Sequence, residues 1–504
     1  MTPSEAYDWL RQHSVDTSYL ISCAELAAWD QRTYIPPNGH PHRSRQMAAL
    51  AKLIHQRSTD PKIEECLSSV ENSKLNKVDD AVILSNISMW RREFDKQTKI
   101  PENLATELAR ASSEGESAWE KAMHKNDWES FFPHLENLIS LNKQKAEALG
   151  FEQEPYDALL DEYEMGATTS FLESLFVELK QPLVGLLQQI EDSSVEVNST
   201  IFNDDFSVIF QQQLCEKLVT AIGYSLEDGR IDETVHPFSV GIGPGDSRIT
   251  TRYNEKNLGS GVFGCLHEAG HSLYELGLVP EHYGTPAGMF VSLGIHESQS
   301  RLWENMVGRS RGFWMFAKTI AEEYFSKFKQ VSLDDFLLAV NAVKPGCIRV
   351  EADEVTYNLH VMLRFELELA LFRNELSPSD LPDAWRQKMK EYLGISPATE
   401  REGVLQDVHW SGGMFGYFPT YTLGNVYAAQ LYHAADKTLG DLSSQFAEGE
   451  FKPLLNWLRT NVHHIGQTRT PREIIRAATG ESPTAQYFIT YLQQKYSKLY
   501  KLSE

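Results

Sequence analysis

From Met1 to about Leu226, apolar residues recur at three- and four-residue spacing between short Pro-, Gly- or Asn-containing breaks, which predicts a succession of amphipathic helices. YIPPNGHPH, Tyr34 to His42, is one break, and KIPENL, Lys99 to Leu104, is another. Between them and the next turn, Leu135, Leu138, Ile139, Ala146 and Leu149 fall on one helical face, while Lys143, Gln144 and Glu147 fall away from it. The pattern changes at VHPFSVGIGPGDSRITTRY, Val235 to Tyr253, where two β-prone segments flank Gly243 to Asp246 and predict a hairpin at the edge of a small sheet. Asn358 to Phe372, NLHVMLRFELELALF, alternates as a strand would. Its length and its Leu, Glu, Met, Ala and Arg content favour a buried helix instead.

The fold expected from this text is mainly α, with a small β-hairpin. At 504 residues, with 41% hydrophobic and 23% charged residues, the chain can bury a large core. No long linker or repeat divides it, and residues 1–504 are taken as one domain, with a helical part to about 230 and a second part from about 231 onward. The formal net charge of -23 opposes binding to nucleic acid and to anionic membranes. Five scattered cysteines without a C-x-x-C pair indicate neither a disulfide framework nor a thiolate zinc knot. No apolar run approaches the ~18 residues of a membrane span, and no signal-peptide pattern opens the chain, so a cytoplasmic location is expected.

The chemistry concentrates in GSGVFGCLHEAGHSLYELG, Gly259 to Gly277. Residues four apart share a helix face, so His267 and His271 present two imidazoles to one ion, with Glu268 between them. A bare histidine pair is more often a pair of satisfied core residues. HExxH on an apolar helix changes that balance. A catalytic zinc takes three protein ligands and leaves one position open, so one more donor must come from elsewhere. Glu275 is excluded, because two helical turns from His267 amount to about 12 Å of rise, whereas donors to one ion lie within ~4 Å of one another. In GIHESQSRLWENMVG, Gly294 to Gly308, Glu297 is the favoured third ligand, with His296 and Glu304 as competitors. Gly270 in mid-helix predicts the close approach of a backbone or a ligand. A cysteine peptidase built on Cys265 fails locally, because His267 points to another face of the helix.

These segments resemble the carboxypeptidase Taq family of zinc-dependent metallocarboxypeptidases. The resemblance rests on HEAGH, on HPF at His236 to Phe238, on DSRIT at Asp246 to Thr250, on HESQ at His296 to Gln299 and on GVLQDVHW at Gly403 to Trp410. AAWDQ at Ala27 to Gln31, YDALLDEYE at Tyr156 to Glu164 and IRVEADEVTYN at Ile348 to Asn358 also match it. It implies a single, largely helical body with a deep active-site groove and a small sheet beside the metal helix, usually a homodimer, and removal of single residues from peptides with a free C-terminus. It also implies His267, His271 and Glu297 as ligands of Zn²⁺, with Co²⁺ or Mn²⁺ able to occupy the same donor set. An oligopeptide endopeptidase of the same chemistry is the alternative.

Within that chemistry Glu268 is the expected general base. His409, Tyr417 and Tyr421 are the candidates to stabilise the oxyanion, in a segment whose Gly412, Gly413 and Gly416 suggest a mobile wall. An exopeptidase must also bind a terminal carboxylate. Arg349 is favoured for this and Arg248 is second, while pairing of Arg349 with Glu351 or Glu354, or of Arg248 with Asp246, would make either one structural. His236 joins them as a candidate substrate contact.

Overall fold

The structure, a computed structural model, describes residues 1–502. It is mainly helical, as the apolar spacing predicts. The first helix, Pro3–Thr33, opens with a capping box between Thr2 and Glu5. It ends before Pro36 and Pro37, and the next helix runs over His40–Ser58. Helices Pro61–Glu71 and Ala81–Lys99 close a small apolar cluster with the first one, built on Leu10, Leu67, Val70 and Ile87. A much larger core runs from Leu104 to Tyr500.

Three strands follow the helical part: β1 (Ile231–Glu233), β2 (Ser239–Gly243) and β3 (Asp246–Thr251), in the order β1-β3-β2. β2 and β3 form the expected antiparallel hairpin, with Gly245 at φ +78° in its turn. β1 adds a parallel strand to β3, which the sequence reading did not resolve because its three residues, IDE, carry little β preference. Asn358 to Phe372 lies within a helix, Tyr357–Phe372, in which nearly every residue is buried. A helix buried all round has no polar stripe, so its sequence could not show the helical period.

The helix that carries HEAGH spans Leu258–Glu275 and starts at Asn257, whose side chain accepts from the Ser260 N–H. It packs against β3 and against a return helix, Leu293–Arg301. Gly270 is the point of closest approach. A Cβ there would lie 2.6 Å from the Gln299 carbonyl oxygen and 2.7 Å from the Ser300 Cα, so the near neighbour is the return helix backbone. That helix is gripped on another side by helix Pro419–Leu439, where a Cβ on Gly424 would meet the Glu297 Cγ at 2.5 Å. Beyond Arg301 the chain does not continue as a regular α-helix, as the spacing of Leu302, Trp303 and Met306 suggested. Leu302–Val307 is a π-helical turn, a widening that occurs often at functional sites.

Gly270→Ala is therefore expected to destabilise the protein by ~1–3 kcal/mol through overpacking, although alanine is the better helix former by about 1 kcal/mol. Gly185, in helix Thr169–Glu191, has nothing within 4 Å of the point a Cβ would occupy, and should instead gain stability on the same substitution. Denaturant melts of the two variants check the contrast, and a stabilised Gly270→Ala protein contradicts it.

Candidate metal centre

His267 and His271 stand one turn apart with their ring centroids 4.9 Å apart, edge to face. The return helix, capped by the Ser292 side chain on the Ile295 N–H, brings Glu297 to them. Glu297 Oε2 lies 3.7 Å from His267 Nε2 and 3.4 Å from His271 Nε2. One donor atom from each of the three residues falls within 4.8 Å of the others, and among the described residues this is the one such group.

The residues behind these three set their orientation. His267 Nδ1 is 2.9 Å from Glu304 Oε2, which the π-helical turn presents to it. His271 Nδ1 bonds to His296 Nδ1, and His296 Nε2 lies 2.9 Å from Glu275 Oε1. A carboxylate only accepts, so His296 carries its proton on Nε2 and its Nδ1 accepts from His271. Both ligand-type histidines thus carry hydrogen on Nδ1 and turn Nε2 towards Glu297. Arg301 Nε donates to Glu297 Oε1 at 2.7 Å and leaves Oε2 facing the imidazoles. Two imidazole nitrogens and one carboxylate oxygen, each backed by an outer partner, suit a divalent cation of the zinc type. His296 and Glu304, weighed above as ligands, stand behind the histidines, and Glu275 ends the chain of bonds behind His271.

Burial pushes the Glu268 carboxyl up to about 7, against the opposing pull of His267. Burial also pushes His271 down to about 3, so its ring is neutral. The turn His409–Gly412 and the start of helix Pro419–Leu439 bring His409, Tyr417 and Tyr421 together. His409 Nε2 lies 3.2 Å from the Tyr421 hydroxyl, and the His409 and Tyr417 rings are 5.2 Å apart. His409 falls to about 4 through burial, partly offset by Asp407. Burial and then the Glu297 charge raise the Tyr417 phenol. Two of the glycines here serve left-handed backbone. Gly413 and Gly416 hold φ +75° and +84°, and a Cβ on Gly416 would strike the Leu159 backbone at 2.9 Å.

Arg349, 4% exposed, pairs with neither Glu351 nor Glu354. Its short turn Arg349–Glu351 aims it at Asp407, which accepts from its Nε at 3.0 Å and from its Nη2 at 2.7 Å. Nη1 donates to the Tyr357 hydroxyl at 3.0 Å. Three of the five guanidinium hydrogens are thereby engaged and two are left. Glu354 instead meets Lys495 of the C-terminal helix. Arg364 also grips Asp407, at 2.6 Å, so two buried guanidinium groups share one carboxylate and leave a positive excess. Arg248 forms a two-point pair with Asp246 and lies over Trp29 of the N-terminal helix, 4.4 Å from the ring centroid. His236 is exposed between β1 and β2, while its neighbour Phe238 exchanges hydrogen bonds with Thr250. The motifs HPF and D-x-R-x-T thus tie the sheet together and dock it on the first helix.

A histidine pair on one helix answered by a glutamate on a return helix, in a helical body, is the donor arrangement of a metallopeptidase centre. The carboxypeptidase Taq (M32) metallopeptidase family matches residues 10–496, and the chain belongs to that family. Thermostable carboxypeptidase 1 of Thermus thermophilus is 52% identical over 512 aligned positions, covering 99% of this chain and 100% of that protein. Carboxypeptidase 1 of Bacillus subtilis is 40% identical over 499 positions, covering 99% and 98%. The crystal structure of an M32 carboxypeptidase from Deinococcus radiodurans R1 superposes with a TM-score of 0.95 at 36% identity, covering 99% of this chain and 100% of that one. The chain is thus a peptide hydrolase of the carboxypeptidase kind.

Sequence reading passed over Asp407, Arg364 and Arg301. Asp407 stood within GVLQDVHW, two residues before His409, and an acid in that family-like segment was the available signal. Burial pushes the Asp407 carboxyl up, but the charges of Arg364 and Arg349 outweigh it and hold the group below the usual aspartate range. A depressed folded value gives stability that is present above the unfolded pKa of ~3.9 and is lost as pH falls towards the folded value. Asp407→Asn should therefore cost about 3–5 kcal/mol at pH 7 by stranding two buried cations. The wild type's advantage should shrink below about pH 4, where the aspartate of the unfolded chain takes up its proton. Denaturation of both proteins across pH checks this, and a difference that does not change with pH contradicts it.

Proposed function

We propose that this chain is a zinc-dependent carboxypeptidase whose ion is held by His267, His271 and Glu297 and whose general base is Glu268. The observation that carries the proposal is the convergence of those three donors within 4.8 Å. Zn²⁺ is favoured, and Co²⁺ or Mn²⁺ suits the same donors. When bound, such an ion polarises the scissile carbonyl and makes water more acidic. Glu268 takes the proton from the attacking water and passes it to the leaving amine, and its buried setting suits a group that must both accept and release it. His409, Tyr417 and Tyr421 face the other side of the reacting carbonyl and donate to the developing oxyanion.

Arg349 receives the terminal carboxylate. Asp407 fixes the guanidinium while two of its hydrogens stay available, and the positive excess shared with Arg364 favours an anion at that point. Arg248 is spent on Asp246 and Trp29, which ranks it behind Arg349. His236 lies close to edge strand β2, where an extended peptide could add along the sheet. We further take residues 1–504 as one catalytic unit, acting as a cytoplasmic homodimer on peptides. No helix of the described residues is long and apolar enough to cross a membrane.

Glu268→Gln should keep its metal and lose nearly all turnover, whereas His267→Ala, His271→Ala and Glu297→Ala should each lower bound metal. Elemental analysis beside an assay on blocked dipeptides reads both, and full turnover by metal-loaded Glu268→Gln protein would overturn the assignment. Arg349→Ala should depress kcat/KM for free-acid peptides by the ~1.5–3 kcal/mol of a charged hydrogen bond, with metal unchanged. C-terminally amidated peptides should be poor substrates already and lose little more. Equal losses on both kinds of peptide would remove Arg349 from substrate binding.

A further inference from the structure

Glu368 is a fully buried carboxylate that the chemistry above does not use. It lies on helix Tyr357–Phe372 and has no ion-pair partner within 4 Å among the described residues; burial pushes it up to about 7. Both its oxygens nonetheless meet donors. Trp410 Nε1 donates to Oε1 at 2.6 Å, the Gly416 N–H donates to Oε2 at 3.0 Å, and the Tyr156 hydroxyl also bonds to Oε2. An isolated buried carboxyl is costly to keep, so its retention here calls for a role.

Its contacts bracket one stretch of chain. Trp410 follows His409, and Gly416 precedes Tyr417. The Gly-rich turn between the two is thus fastened at both ends to a single side chain. Outside it, Trp410 packs edge-on against Trp385 at 5.9 Å and Tyr417 against Tyr163 at 5.2 Å.

We propose that Glu368 is a positioning residue for peptide cleavage, which clamps both ends of the turn from Trp410 to Gly416 and thereby sets His409 and Tyr417. This rests on the reading of those two residues as donors to the substrate. The donor count makes the requirement specific to a carboxyl group. An indole N–H and a peptide N–H can only donate, and each meets a different oxygen, whereas the Tyr156 hydroxyl can donate or accept. Ionised or protonated, a carboxyl group satisfies all three. A glutamine cannot, because its NH₂ must face either Trp410 or Gly416, donor against donor.

The test is a double-mutant cycle on the metal-loaded full-length protein, with metal content and melting temperature measured on each variant. Glu368→Gln should keep its metal and lower kcat at least tenfold on a blocked free-acid dipeptide, with KM changed less than threefold. In a His409→Ala/Tyr417→Phe background the same substitution should cost less than threefold, because the groups it positions are gone. A tenfold loss in both backgrounds, or wild-type kcat in Glu368→Gln, overturns the proposal. If Glu368→Gln does not fold, Trp410→Phe, which removes one arm of the clamp, replaces it in the same cycle and is read by the same limits. A His409→Ala/Tyr417→Phe protein with wild-type activity would refute the functional reading itself and the proposal with it.

Discussion

The contact on which the site depends is the one between two helix backbones at Gly270. With no side chain there, the return helix approaches until Gln299 and Ser300 touch the helix that carries HEAGH, and that approach brings Glu297 within 3.4–3.7 Å of both histidines. Gly424 repeats the device on the opposite side, where helix Pro419–Leu439 lies directly against the Glu297 side chain. Two glycines on two helices hold the third between them. Glu164 adds a fastening at its start, accepting from the Gly294 N–H at 2.9 Å and from the Tyr427 hydroxyl at 2.9 Å. The third donor is thus fixed by packing over its whole helix, not by its own side-chain bonds alone.

Around this frame, charge is buried in small hydrogen-bonded groups. Glu304 meets His267, Arg301 and Arg309, and Arg301 in turn holds the second oxygen of Glu297 and lies over the Tyr357 ring at 4.2 Å. Asp407 gathers Arg349 and Arg364. Each group would be expensive if one member were lost, because the remaining charge would stay buried without a partner. Such networks fix side chains to within fractions of an ångström, which is what positioning a reacting carbonyl requires.

Much of this was legible in the sequence, and the reasons differ from element to element. The helices of the first 220 residues are amphipathic and broken by prolines, so their period and their ends were visible. His267, His271 and Glu268 were visible because one turn of helix fixes their relation. Glu297 was favoured but not separated from His296 and Glu304 by spacing, since its partners lie across a loop, and the family resemblance implied it. Strand β1 escaped because three residues carry no pattern, and the π-helical turn escaped because apolar spacing assumes a regular helix. The partner of Arg349 was sought nearby, at Glu351 and Glu354, and lies on a distant segment at Asp407. Of the glycines from Gly412 to Gly416, Gly413 and Gly416 serve left-handed backbone, and Gly416 packs closely on the Leu159 backbone. Local periodicity reports local structure; long-range ion pairs leave no such trace.

The most direct test of the metal centre is anomalous diffraction from crystals of the zinc-loaded protein, recorded on both sides of the zinc absorption edge. One strong peak should lie ~2.0–2.2 Å from Nε2 of His267, Nε2 of His271 and one oxygen of Glu297, with Glu275, His296 and Glu304 outside that distance. A peak bound through His296 or Glu304 in place of Glu297, or an active zinc-loaded protein with no peak at these three residues, would contradict it.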